Sequence, residues 1–223
     1  LQNAFGEVHH SLIDTALRFH HVPDHVCTII KHFYDQFYTA VATETFVCDF
    51  VRVEKGVLQG DCLSPLLFNI VTNTFIQSIN SEPLNNLGYK FADMFLPRHW
   101  LQFADDAVAV TRLEKENQIL LDAFARWCSW SNLKVRVDKC HSFGLTNKNN
   151  GCKQYKPKLF INNNMVHSVD IGESFVYLGR AFDVNMTNEH HKKELLTTLE
   201  TLMGCLSALP LHPKNKLMIY HRY

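Results

Sequence analysis

No stretch of this 223-residue chain approaches the ~18 consecutive apolar residues that a membrane-spanning helix needs, which excludes a spanning segment. Leu1-Gln2-Asn3 shows no basic stretch leading into an apolar run, so no signal peptide is read there. The chain does not begin with Met and stops at His221-Arg222-Tyr223, so it is expected to be a piece of a longer protein. Internal repeats, low-complexity tracts and an obvious linker are all missing. So is any CxxC: Cys27, Cys48, Cys62, Cys128, Cys140, Cys152 and Cys205 are odd in number and widely scattered. That argues against a disulfide framework or a zinc ribbon, and for reduced thiols in an intracellular setting. Net charge is absent too, with 22 Lys and Arg against 22 Asp and Glu.

What is present is a globular composition. Hydrophobic residues make up 46% and charged residues 20%, and 16 Phe supply material for a core, which excludes intrinsic disorder. The length suits one large domain or two small ones. The zero net charge hides a polarity. Residues 1–129 hold 9 basic against 15 acidic side chains, and residues 130–223 hold 13 against 7. A basic C-terminal half suits a polyanion, and an acidic N-terminal half suits bound cations. Thirteen His include the pairs His9-His10, His20-His21 and His190-His191, but none has a partner at convincing ligand spacing, and His21-x3-His25 contains Pro23. Exposed or capping histidines are the plainer reading.

Periodicity predicts the elements. A first helix starts near Ser11, striped by Leu12, Ala16, Leu17 and Phe19, and breaks at His20-His21-Val22-Pro23. A second follows Pro23, with Val26, Ile29, Ile30, Phe33 and Phe37 recurring at three-to-four spacing. Residues 40–53 alternate as a β-hairpin. Ser64-Pro65 opens a buried helix. Strands Trp100–Phe103 and Ala107–Val110 flank Ala104-Asp105-Asp106, and Thr111-x-x-Glu114 reads as a capping box for a helix through Leu120, Phe124 and Trp127. Further strands are predicted at Leu133–Val137, Leu159–Ile161 and Phe175–Leu178. A last helix, Glu189–Leu209, is striped by Leu195, Leu199, Leu202, Met203 and Leu206 and ended by Pro210 and Pro213. Helices mixed with short, largely antiparallel strands give an α+β class.

Three segments carry chemistry. In Phe103-Ala104-Asp105-Asp106, two adjacent carboxylates sit at a strand–turn–strand tip, where a cation relieves their repulsion. Carboxylate oxygens suit Mg²⁺, so the turn reads either as half of a two-metal phosphoryl-transfer site or as an ordinary polar hairpin turn. In Gly56-Val57-Leu58-Gln59-Gly60-Asp61-Cys62-Leu63-Ser64-Pro65, the glycines allow close approach to a ligand and Gln59 offers donor and acceptor, though a capped strand–loop–helix junction reads the same way. Gln59 lies 44 residues before Phe103. The third segment is the opening Leu1-Gln2-Asn3-Ala4-Phe5-Gly6, followed by an amphipathic helix.

Together these segments resemble the reverse transcriptases of non-LTR retrotransposons. Ala4-Phe5 resembles the first palm motif without its leading Asp; Gln59-Gly60-x-x-Leu63-Ser64-Pro65 the second; Phe103-Ala104-Asp105-Asp106 the third. Leu133–Cys140 resembles the fourth, with Lys139 at the family's lysine, and Phe175-Val176-Tyr177-Leu178-Gly179 resembles the primer-grip hairpin. Order and spacing agree from Leu1 to about Gly179.

The resemblance implies a polymerase palm, an antiparallel sheet backed by helices, over residues 1–187. Part of the fingers would come from residues 23–58, and residues 188–223 would form a helical connection toward a thumb. It implies an RNA-directed DNA polymerase extending a DNA primer on an RNA template with dNTPs, and no membrane partner. Asp105 and Asp106 would be catalytic metal ligands for two Mg²⁺ ions, with Mn²⁺ as the substitute, and Lys139 would assist the leaving pyrophosphate. Ala4, Phe5, Gln59 and Gly60 would line the nucleotide site, Phe5 excluding a 2′-hydroxyl, while Tyr177, Leu178 and Gly179 would hold the primer. The family's first Asp is expected immediately before Leu1, which leaves the metal site incomplete in this chain and the fragment itself inactive. Nuclear localisation follows only from the family's way of life. The rival readings are a catalytically silent nucleic-acid-binding remnant of the palm, a phosphodiesterase using the same carboxylates on water, and a structural domain with an incidental acidic turn.

Overall fold

The computed structural model describes residues 1–58, 60–92, 94–148, 151–185, 187 and 189–222. Gln59, singled out above, lies outside them. In chain order the elements are α1 (Ala4–Glu7), α2 (His10–Phe19), α3 (Asp24–Asp35), β1 (Tyr38–Thr39), β2 (Val51–Arg52), α4 (Ser64–Ile79), β3 (Trp100–Phe103), β4 (Asp106–Ala109) and α5 (Glu114–Ser131). There follow β5 (His141–Ser142), β6 (Gly144–Lys148), β7 (Gly151–Tyr155), β8 (Phe160–Ile161), β9 (Asn164–Met165), β10 (His167–Ser168), β11 (Ser174–Tyr177), β12 (Arg180–Asp183), α6 (Glu189–Ala208) and α7 (Pro213–Arg222). Helices combined with small antiparallel sheets make this an α+β chain, and the sheets among the described residues are all two-stranded. The chain packs as two units. One comprises Leu1–Cys140 with Pro157–His167, the other His141–Lys156 with Ser168–Tyr223.

The first unit is built on four helices. Leu12, Ile13, Ala16 and Leu17 of α2, Cys27, Ile30 and Tyr34 of α3, Leu67, Phe68, Val71, Phe75 and Ile79 of α4, and Leu120, Phe124, Trp127 and Cys128 of α5 are all buried in one cluster. Each large apolar side chain so buried contributes about 1.5–3 kcal/mol. Helix α4 is apolar on much of its circumference because α2 and α5 both pack on it. Pro65 in its first turn lacks the N–H that would have no intrahelical acceptor there. An aromatic cluster fixes the start of β3. The Trp100 ring lies 4.9 Å from Phe75 and 5.0 Å from Phe124. Trp127 satisfies its buried indole N–H by donating to Thr74 Oγ1 at 2.9 Å.

The second unit holds two hairpins and two helices. β6 pairs with β7 from Gly144↔Tyr155 to Lys148↔Gly151, and β11 pairs with β12 from Ser174↔Asp183 to Tyr177↔Arg180. Phe175 packs its ring near Phe143 and Phe182, and α6 packs on β12.

Several sequence expectations are corrected. The hairpin over residues 40–53 shrinks to the two-residue pairing of β1 with β2 and a bridge from Ala42 to Val47. The α3 core face is Cys27, Ile30 and Tyr34, whereas Ile29 is 67% exposed. A stripe at three-to-four spacing leaves two adjacent faces open, and contact with α2 selects one. In α2, Ile13 replaces the predicted Phe19 as a core residue. Thr111 does not cap α5: its hydroxyl donates to the Leu113 carbonyl at 2.9 Å, which leaves Leu113 as the N-cap residue. Leu133–Val137 is no strand. Residues 133–136 have no regular structure and lead into a 3-10 turn at Val137–Lys139, and the Lys134 carbonyl accepts a bond from Gln2 N at 2.8 Å instead of joining a ladder. Pro213 opens α7 rather than only ending α6, as the missing proline N–H permits at a helix start. The apolar stripe of α6 is open, with Leu195, Leu199 and Leu202 exposed.

Candidate active site at the acidic turn

β3 and β4 pair antiparallel from Trp100↔Ala109 to Phe103↔Asp106, so Ala104 and Asp105 form a two-residue loop. Ala104 has φ +50°, a left-handed value that costs a non-glycine residue about 1 kcal/mol. Such two-residue loops match the twist of the paired strands. Gln102 braces this loop: its Nε2 donates to the Ala104 carbonyl at 2.8 Å, while its Oε1 accepts from Trp100 Nε1 at 3.1 Å. The brace therefore runs from the buried aromatic cluster to the backbone immediately before Asp105. Asp105 is half-buried and Asp106 exposed. Among the described residues, no cluster of three or more His, Cys, Asp or Glu is placed to hold a metal ion. The turn itself offers two hard carboxylate donors at a solvent-accessible tip, a donor set that fits Mg²⁺ or Mn²⁺.

The opening segment lies beside this turn. Phe5 is half-buried in α1 and stacks on the fully buried Phe68 of α4, with ring centroids 4.5 Å apart at 16°. Ala4 is buried in the core cluster. Phe5, Pro65, Asn69 and Asn73 face Gln102, Phe103 and Ala104 across a cavity of about 530 Å³. Phe5 is thus both a core residue and a cavity wall.

The first and second motif segments are joined along the backbone. Val57 N donates to the Phe5 carbonyl at 2.8 Å and Gly56 N to the Val8 carbonyl at 2.7 Å. A Cβ on Gly56, where φ is +93°, would lie 3.1 Å from the Gly6 carbonyl oxygen, so the close approach needs glycine. His10 Nε2 hydrogen-bonds the Gly56 carbonyl at 3.0 Å, and burial holds this imidazole below the ordinary histidine range. Lys55 and Glu7 pair at 2.8 Å, and that bond lowers the Glu7 carboxyl.

The remaining predicted residues fall elsewhere. Gly60 has φ +92° and open space around the position of a Cβ. Lys139 is exposed at the end of its 3-10 turn and does not line the cavity. Beside it, Arg136 grips both carboxylate oxygens of Asp138, which lowers the Asp138 carboxyl. Tyr177, Leu178 and Gly179 belong to the second unit. Leu178 and Gly179, at φ +49° and +73°, form the two-residue loop between β11 and β12. Sequence reasoning missed Trp100 and Gln102 as supports of the turn, and Asn69 and Asn73 as cavity walls. The i, i+2 spacing of Trp100 and Gln102, which puts both on one face of a strand, was the available signal.

Residues 1–182 match the family described as reverse transcriptase (RNA-dependent DNA polymerase). The chain belongs to the reverse transcriptase family. Among its relatives is the "Retrovirus-related Pol polyprotein from type-1 retrotransposable element R2" of Popillia japonica, 28% identical over 178 residues, covering 78% of this chain and 23% of the relative. The R2DM polyprotein of Drosophila melanogaster is 28% identical over 145 residues, covering 65% and 13% respectively. The "RNA-directed DNA polymerase from mobile element jockey" of Drosophila funebris is 25% identical over 197 residues, covering 86% and 20%. The chain thus spans less than a quarter of the length of each of these relatives. It is a reverse transcriptase domain of the non-LTR retrotransposon type.

Proposed function

We propose that this domain is the palm portion of an RNA-directed DNA polymerase, and that the cavity lined by Phe5 and Ala104, next to the carboxylates Asp105 and Asp106, receives the incoming dNTP. One observation carries the reading: Phe5 and the residue preceding Asp105 line the same cavity. Asp105 and Asp106 are the residues that would hold Mg²⁺. Bound there, it would supply charge neutralisation at the triphosphate and a lowered pKa for the primer 3′-hydroxyl. Phe5 orients the nucleotide sugar. With Phe68 fixed behind it, the ring has no room to yield to a 2′-hydroxyl. The Gln102 brace keeps the turn backbone from moving as charge develops. Lys139, exposed and outside the lining of this cavity, is the candidate to reach the leaving pyrophosphate from its edge, and the Tyr177–Gly179 hairpin is the candidate to hold the primer backbone. The template is RNA, the primer DNA, and the setting nuclear. Residues 1–187 serve as palm with partial fingers, and residues 188–223 lead toward the thumb.

The family match over residues 1–182 and the adjacent carboxylates Asp105 and Asp106 support this reading. The test is RNA-templated primer extension by four polypeptides: this chain, the chain with Asp placed before Leu1, a longer polypeptide spanning the relatives' catalytic region, and that polypeptide with Asp105→Asn. Activity is expected only in the third. Near-normal extension by Asp105→Asn would refute the carboxylate assignment, and activity in the unextended chain would refute the need for a further carboxylate. An inactive third polypeptide that still binds template–primer would mark the silent remnant.

A further inference from the structure

A second cavity, of about 850 Å³, opens between α5 and the β8–β9 hairpin, and it shares no lining residue with the one at the acidic turn. Its α5 wall is the stripe through Lys115, Gln118, Asp122 and Ser129. At 3.6 residues per turn this stripe lies about half a turn round the helix from the core residues Leu120, Phe124 and Trp127. The opposite wall is the hairpin, paired Phe160↔Met165 and Ile161↔Asn164. Its tip is Asn162 and Asn163, both left-handed, at φ +49° and +65°.

The two walls are fixed to each other. Gln118 donates from Nε2 to the Phe160 carbonyl and accepts at Oε1 from the Phe160 N–H, each at 2.9 Å. This two-way amide clamp takes the place of a missing strand partner. Beneath it, Leu159, Ile161 and Val166 are buried against Leu121, Ala125 and Val135. The groove is therefore preformed.

Its side chains suit one kind of ligand. Lys115, Arg126 and Lys158 line it, all exposed, and none is ion-paired among the described residues. The groove's acids are already engaged: Asp122 accepts from Gln118 Nε2 at 2.7 Å, and Glu114 also has a partner. Phe160, 43% exposed, lines the same groove as these cations, and so do Asn162 and Asn163, which add amide donors and acceptors. Unpaired cations track phosphates and an exposed ring stacks a base, the combination that binds single strands. A protein partner with an acidic surface would have no need of the ring and the amides. We propose that this groove binds a stretch of single-stranded nucleic acid through its phosphodiester backbone, apart from the acidic turn.

The experiment measures binding of an oligouridylate and an oligothymidylate of about twenty nucleotides, longer than the usual single-strand footprint, to the chain across a salt series. Wild type is compared with Lys115→Ala/Arg126→Ala/Lys158→Ala. A control, Arg18→Ala/Lys31→Ala/Lys55→Ala, removes three cations that are ion-paired elsewhere in the same unit. The groove variant should raise Kd about tenfold or more and flatten the log–log salt slope by about 2, since each single-strand phosphate contact contributes roughly 0.7. The control should do neither. Phe160→Leu, which keeps an apolar side chain and removes the ring, should weaken binding several-fold at an unchanged salt slope. Losses for both strands are expected, because the phosphodiester backbone is common to them, and a loss confined to one strand would overturn recognition through that backbone. An unchanged Kd and slope in the groove variant would overturn the proposal, as would failure of the wild-type chain to bind either strand. Should the triple variant melt early, Lys158→Glu alone decides by the same slope. Neither result depends on Asp105, so this inference and the polymerase reading fail separately.

Discussion

Replacing Gln102 with Met keeps the length and volume of the side chain but removes both of its hydrogen bonds. Trp100 Nε1 loses its acceptor at 3.1 Å, and the Ala104 carbonyl loses its donor at 2.8 Å. A neutral hydrogen bond contributes about 1 kcal/mol net, so the pair is worth about 2 kcal/mol. Gln102 is half-buried, so water replaces part of the loss at the carbonyl; about 1–2 kcal/mol is the expected cost. The cost should be local. Trp100 stays packed on Phe75 and Phe124, and the aromatic cluster does not move. Ala104, already in a left-handed conformation, loses the bond that holds it there. Amide hydrogen exchange should therefore quicken about 5- to 30-fold at residues 103–106, while those amides of α4 and α5 that exchange by local opening should change little. The urea midpoint should shift down by the same 1–2 kcal/mol divided by the m-value. Trp100→Phe removes the indole N–H, and the double variant should cost less than the two single costs added, with a coupling of about 1 kcal/mol. Additive costs, or unchanged exchange at the turn, would show that Gln102 does not brace it.

Phe5→Val in an active polymerase carrying this domain should raise the kcat/KM ratio for ribo- over deoxynucleotides; an unchanged ratio returns Phe5 to a purely core role against Phe68. Burial holds His10 and His99 below the ordinary histidine range, so the unfolded chain binds more protons than the folded one from their depressed values up to about 6.5. Stability should therefore rise with pH through that window and fall as pH drops below about 6.5, and urea midpoints for wild type and His99→Phe, taken at several pH values, should diverge there. Cys62 and Cys205 are exposed, whereas burial pushes the Cys128 thiol up to about 12 and Cys27 is fully buried. Thiol reagents at neutral pH should modify the first two quickly and the buried pair only on unfolding; fast labelling of Cys128 in the folded chain would contradict its placement.

Local physics made much of this protein legible in its sequence. Helices α2, α3, α4 and α5 follow from apolar spacing, and Pro65 marks a helix start because a residue without an N–H is best tolerated in the first turn, whereas the left-handed φ of Ala104 and Leu178 had no signal in residue type. The acidic turn was readable as two carboxylates between two short strands, and the family followed from the order of motifs along the chain. What the tertiary structure decided is which faces meet. Periodicity placed Ile29 and Ile30 equally well on α3, and only packing against α2 buried Ile30 and left Ile29 in solvent. Leu133–Val137 has a strand's composition, but its Lys134 carbonyl pairs with Gln2, more than a hundred residues away in sequence, and no ladder forms. Nor could sequence spacing bring Phe5 to the wall of the Ala104 cavity, or set Gln118 against Phe160. Each of these pairings joins distant segments, and the energy that selects them is burial and hydrogen bonding across the fold rather than any preference of the local chain.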